Sequence, residues 1–67
     1  MMRYTIVDIE TASSYGFKES AHRTTKGYMI LNCNELTLVD SNIEKAAAML
    51  GGELYNIEEL NRKINEL

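Results

Sequence analysis

The chain has 67 residues, 45% of them hydrophobic and 25% charged, with a formal net charge of −3 and one cysteine. That length allows a single small domain, and the balance of apolar and charged residues excludes disorder. The acidic charge argues against a general nucleic-acid binder. Cys33 stands alone, which excludes an internal disulfide, and no Cys/His cluster offers a metal site, so no cofactor or metal is expected.

A domain of this size buries only about 60% of the surface of its unfolded chain, so stability must come from tight packing or self-association. Both stay open, and a homodimer is the form self-association would take, beside another protein as partner. The longest apolar runs, residues 4–7 and 28–31, are far too short for a membrane span or a signal-peptide core. With a free thiol they point to a cytoplasmic protein with no membrane partner. Residues 1–39 carry four acids and four bases, whereas residues 40–67 carry six acids and three bases. The excess negative charge thus falls in the last third of the chain.

In chain order, residues 3–10 are rich in β-branched and aromatic side chains and read as a first strand. Thr5, Val7 and Ile9 share its core face; Tyr4, Ile6, Asp8 and Glu10 share the other. Residues 11–26 show no clean period and include the turn-like cluster Ser13-Ser14-Tyr15-Gly16. A connection this long is a functional loop, an irregular hairpin, or the site of a helical turn in which Phe17 and Ala21 share a face. After Gly27, residues 28–31 read as a second strand. Asn32-Cys33-Asn34-Glu35 reads as a turn, and residues 36–39 as a third strand with Leu36 and Leu38 on one face. An unbroken strand over residues 28–39 is the rival.

Two helices follow. Ser41 and Glu44 form a capping box, and Ile43, Ala46, Ala47 and Leu50 make the buried stripe of a helix over 42–50, stopped by Gly51-Gly52. Asn56 and Glu59 form a second box, with Tyr55 and Leu60 as its hydrophobic staple, for a helix over 57–66. Its stripe is Ile57, Leu60, Ile64 and Leu67. Glu58–Arg62 and Glu59–Lys63 are acid-first pairs at i, i+4. Leu54 and Tyr55 form a short extended segment or a further strand. The expected architecture is α+β: a small antiparallel sheet of two or three strands covered by two short C-terminal helices, ββ(β)αα. Its expected core is Val7, Ile9, Ile30, Leu36, Leu38, Ile43, Ala47, Leu50, Leu54, Leu60 and Ile64, with Met29 and Met49 as fillers.

Val7-Asp8-Ile9-Glu10-Thr11 resembles the first motif of the DEDD-type 3′–5′ exonucleases, where Asp-x-Glu-Thr ends a strand. Alternation on a strand would put both carboxylates on one face, where they could hold metal ions. The match covers five residues, the family's other aspartates have no counterpart, and its fold is more than twice this length. The carboxylates are read instead as the exposed side of an edge strand, and no enzymatic activity is expected. A helix–turn–helix over 41–67 is set aside as well. Its connection is long, and its second helix would meet phosphates with Glu58 and Glu59.

Two surfaces remain for function. Lys18, His22, Arg23 and Lys26, with Tyr15 and Phe17 nearby, could contact an anionic partner. The outer face of the last helix carries Glu58, Glu59 and Glu66. The leading expectation is a non-enzymatic protein-interaction module, a small regulator or inhibitor of bacterial or phage type that binds a basic protein surface. The alternative is a nucleic-acid-binding regulator using residues 18–26 or the helix pair.

Overall fold

Two antiparallel strands form the sheet of the molecule, seen in a computed structural model that describes residues 2–18, 24 and 26–67. The elements run β1 (Tyr4–Asp8), α1 (Ile9–Ser14), β2 (Tyr28–Asn32), α2 (Cys33–Leu36), α3 (Ile43–Met49) and α4 (Ile57–Glu66). β1 and β2 pair in the register Tyr4↔Asn32 through Asp8↔Tyr28, with Ile6 opposite Ile30. The fold is α+β, as the composition and periodicity suggest.

Strand alternation puts Thr5, Val7, Met29 and Leu31 on one face, and all four are buried. Ala12, Leu36, Ala46 and Leu50 close over them from α1, α2 and α3. Met29 is a core filler as expected; Met49 is exposed. The other face presents Tyr4, Ile6, Tyr28 and Ile30, each half-buried, so Ile30 belongs to this second layer. α4 lies beside β1. It packs on that strand, its first turn adjoins Met2 and Tyr4, and its end reaches the Lys26 ammonium, which donates to the Leu67 carbonyl. Leu60, the buried residue of α4, falls outside the core cluster to which α3 gives Ala46, so the two C-terminal helices do not share one core.

The first strand stops earlier than expected, at Asp8, for a capping reason. Asp8 has extended backbone and accepts from the Thr11 amide at 3.0 Å and the Thr11 hydroxyl at 2.7 Å, so Ile9 and Glu10 begin a helix. α1 ends in a Schellman motif. The Gly16 amide donates to Ser13, the Phe17 amide donates to Ala12, and Gly16 takes the left-handed position at φ 91°. The turn-like cluster at residues 13–16 is thus the end of a six-residue helix. It is a helical turn within the long connection, but earlier than the one expected around Phe17 and Ala21; Ala21 lies outside the described residues.

The expected third strand over 36–39 is absent, and so is the unbroken strand over 28–39. Asn32 accepts from the Glu35 amide at 2.9 Å while the Glu35 carboxylate accepts from the Asn32 amide at 3.1 Å, a capping box that opens α2. Leu36 is then buried from the helix, and residues 37–39 form a turn that leaves Leu38 80% exposed. The turn closes through Leu38 to Glu35 and Val39 to Leu36 backbone bonds.

α3 occupies the expected span with a different cap. Asn42, not Ser41, accepts from the amides of Glu44 and Lys45, and Asp40 in turn accepts from the Asn42 amide. Its end is a second Schellman motif, with Gly51 at φ 78° and the Gly52 amide donating to Ala47. Gly52 is there for space. A Cβ on it would overlap the Thr5 hydroxyl and sit 3.2 Å from the Ile6 carbonyl oxygen. Thr5 is fully buried, and its hydroxyl has no partner among the described residues.

Tyr55 supplies the short extended segment. Its amide and carbonyl exchange hydrogen bonds of 2.7 and 2.9 Å with Tyr4, a one-residue bridge on the free edge of β1. The adjoining Asn56–Glu59 capping box then starts α4 as expected.

Candidate functional site

The basic segment is divided by the fold. Phe17 follows the Schellman glycine of α1 and packs half-buried against the main core, so it is not available for stacking. The Tyr15 hydroxyl donates to the Met49 carbonyl at 3.3 Å and ties the end of α1 to the end of α3. Lys26 is engaged at the C-terminal end of α4, where an ammonium is favoured by the helix dipole. Lys18 is exposed. His22 and Arg23 lie outside the described residues. Three of the six side chains expected to form one binding surface thus have separate structural roles.

The paired-carboxylate arrangement does not form either. Asp8 ends β1 as a helix cap and Glu10 sits in the first turn of α1, so the two do not share a strand face. The Thr11 hydroxyl, and then the Thr11 amide, hold the Asp8 carboxyl below the ordinary carboxylate range. This shift belongs to a structural cap. Among the described residues no three His, Cys, Asp or Glu side chains gather in a way that could hold a metal ion. The Cys33 thiol donates to the Met2 sulfur at 3.3 Å.

α4 presents the remaining candidate. Leu60 is buried, Ile64 and Leu67 are half-buried, and Glu58, Glu59, Arg62, Lys63 and Glu66 are exposed. Charge is not spread evenly along it. Lys63 pairs with Glu66 at 3.5 Å in the last turns, while the first turn carries Glu58 and Glu59. The Glu59 carboxylate accepts from the Asn56 amide at 3.2 Å, so it serves the cap rather than the expected pair with Lys63. Negative charge therefore gathers at the head of the helix, close behind exposed Glu53.

Beside that head is a feature the sequence reading did not single out. Met2, Tyr4, Asn56, Ile57 and Glu58 line an open groove of about 480 Å³. Ile57 begins the apolar stripe, although it is not among the expected core residues. The sheet ends at Tyr4, and Ile57 overhangs it, 53% exposed, with Met2 42% exposed opposite. The signal was present in the sequence: a stripe residue at the first helical position has support only if the sheet extends that far.

No helix among the described residues is long and apolar enough to cross a membrane. Comparison of the chain with protein-family models, with curated proteins and with solved structures finds no match.

Proposed function

We propose that this protein is a non-enzymatic interaction module that engages a basic surface of a protein partner through the outer face of α4. The observation that carries this reading is the division of that helix. Its stripe residues Leu60, Ile64 and Leu67 are buried or half-buried, while Glu58, Glu59 and Glu66 face outward, and Glu58 and Glu59 at its head have no ion-pair partner among the described residues. Such a surface steers a basic partner into contact and disfavours an acidic one. Basic surfaces that otherwise meet nucleic acid have the required charge, which fits a small regulator or inhibitor. The nucleic-acid alternative is weakened by the separate duties of Phe17 and Lys26. The helix–turn–helix form of it is weakened by the separate packing of α3, which joins the main core, and α4, whose Leu60 lies outside it.

The test is affinity capture from a lysate of the source organism at low salt, with the native chain and a Glu58→Lys variant as baits. The native bait should retain a stoichiometric basic protein that the variant loses. Retention of nothing, or equal retention by both baits, contradicts the reading. A second copy of this chain is a competing partner, and light scattering at micromolar concentration would reveal it as a doubled mass.

A further inference from the structure

The geometry points to the groove between β1 and the head of α4 as an anchor site for one apolar side chain of a basic peptide segment. This inference rests on the acidic-face reading and specifies how a partner is held there. The lining is an apolar wall from Met2, Tyr4 and Ile57, with Asn56 and Glu58 at its polar edge. Two of the large apolar residues left exposed in this protein, Met2 and Ile57, meet here. An exposed apolar patch with a polar edge is the usual form of a recognition site on a small protein.

Charge selects the occupant. Glu58 lies at the groove itself and Glu59 is its neighbour on the same turn, while Glu53 lines a separate hollow with Arg3. Arg62 and Lys63 lie a turn or more further along α4, and Lys63 is already paired with Glu66. A second copy docking head to head through this groove would bring its own Glu58 and Glu59 against these, so that symmetric arrangement is disfavoured. The complementary ligand has lysine or arginine on either side of an aromatic or branched aliphatic residue. The apolar residue enters the groove and the flanking cations meet Glu58 and Glu59. The groove wall is held in place independently of any ligand, because the Tyr4–Tyr55 bridge fixes β1 to the start of α4 and the Asn56–Glu59 box fixes the helix direction. Little ordering is therefore required on binding, which favours affinity.

The probes are two synthetic peptides, Arg-Lys-Phe-Lys-Arg and Arg-Lys-Gly-Lys-Arg, titrated into the isotopically labelled full chain at low salt and followed by amide chemical shifts. The phenylalanine peptide should bind at least about tenfold more tightly, as expected when an aromatic side chain leaves water. It alone should shift Tyr4 and Ile57. Ile57→Ser, and separately Met2→Ser, should remove that preference while leaving the glycine peptide's affinity and the urea midpoint unchanged. Equal binding of both peptides with shifts confined to Glu58, Glu59 and Glu66 overturns the anchor site and leaves the acidic-face reading standing. So does a phenylalanine preference that survives both substitutions. Binding of neither peptide at low salt overturns both.

Discussion

Replacing Gly52 by alanine should destabilise the protein although its backbone conformation is open to any residue, because Gly52 is not among the glycines with positive φ. The penalty comes from space. The new methyl group would overlap the Thr5 hydroxyl and press on the Ile6 carbonyl oxygen at 3.2 Å, below ordinary van der Waals separation. Neither neighbour can retreat easily, since Thr5 is fully buried on β1 and Ile6 is held by strand pairing to Ile30. Overpacking of this kind costs about 1–3 kcal/mol, and the lower entropy of the unfolded alanine chain returns about 0.4–1 kcal/mol. The net loss at the centre of these ranges is about 1.3 kcal/mol, measured as a lower urea midpoint at unchanged slope. Removing the obstruction should remove most of the loss. In a Thr5→Ala background the same glycine substitution should cost at most about 0.5 kcal/mol, a coupling of about 1 kcal/mol between touching residues. Gly51→Ala is the control. Its φ is 78° with open space around it, so its cost of about 1–2 kcal/mol should be the same in both backgrounds. Strict additivity of Thr5→Ala and Gly52→Ala, or a neutral Gly52→Ala, would refute the close approach of the α3 terminus to β1.

The Thr5 hydroxyl, without a partner among the described residues, predicts that Thr5→Val, which keeps the branched shape, raises stability by about 1 kcal/mol in urea titration; a loss would mean the hydroxyl has a partner. Leu36→Ala should cost about 2–5 kcal/mol and Leu38→Ala no more than about 0.5 kcal/mol, whereas a strand over 36–39 would make both costly. Asp8 binds its proton more weakly folded than unfolded, so its contribution is present above the unfolded pKa of about 3.9 and is lost as pH falls through the lower folded value. Asp8→Asn, which can still cap α1, should flatten the stability profile below about pH 4. An unchanged acid limb would show that the carboxylate makes no difference.

The features legible in the sequence were those set within a few residues. The Asn56–Glu59 box, the two-glycine stop after α3 and the burial of Thr5 and Val7 on one strand face follow from spacing alone. The same Asn-x-x-Glu pattern at residues 32–35 was misread because Leu36-Thr37-Leu38 behind it imitates the two-residue period of a strand. Asp8 was hidden in the same way, at the end of a β-branched run whose pattern continues through Ile9.

What spacing does not contain is the layer to which a helix belongs. Both C-terminal stripes look alike in sequence, yet Ala46 of α3 joins the cluster of Met29 and Leu31 while the buried Leu60 of α4 lies outside it, on a helix that packs on β1. The separation is made by Tyr55, whose bridge to Tyr4 places the start of α4 at the sheet edge. For the same reason the candidate surface was half legible. Glu58, Glu59 and Glu66 are outward-facing by periodicity, but the exposure of Ile57 depends on where β1 ends. The basic segment looked like a surface because Lys18 and Lys26 are close in sequence. The long-range contacts of Phe17 with the core and of Lys26 with Leu67 are what separate its members.

The most direct measurement is the association rate of the captured partner with the native chain as salt is raised, beside that of Glu58→Lys at low salt. Electrostatic steering through the head of α4 predicts a rate that falls steeply with salt and falls similarly with the substitution, while the dissociation rate changes far less. An association rate indifferent to both salt and Glu58→Lys would contradict the acidic face of α4 as the binding surface.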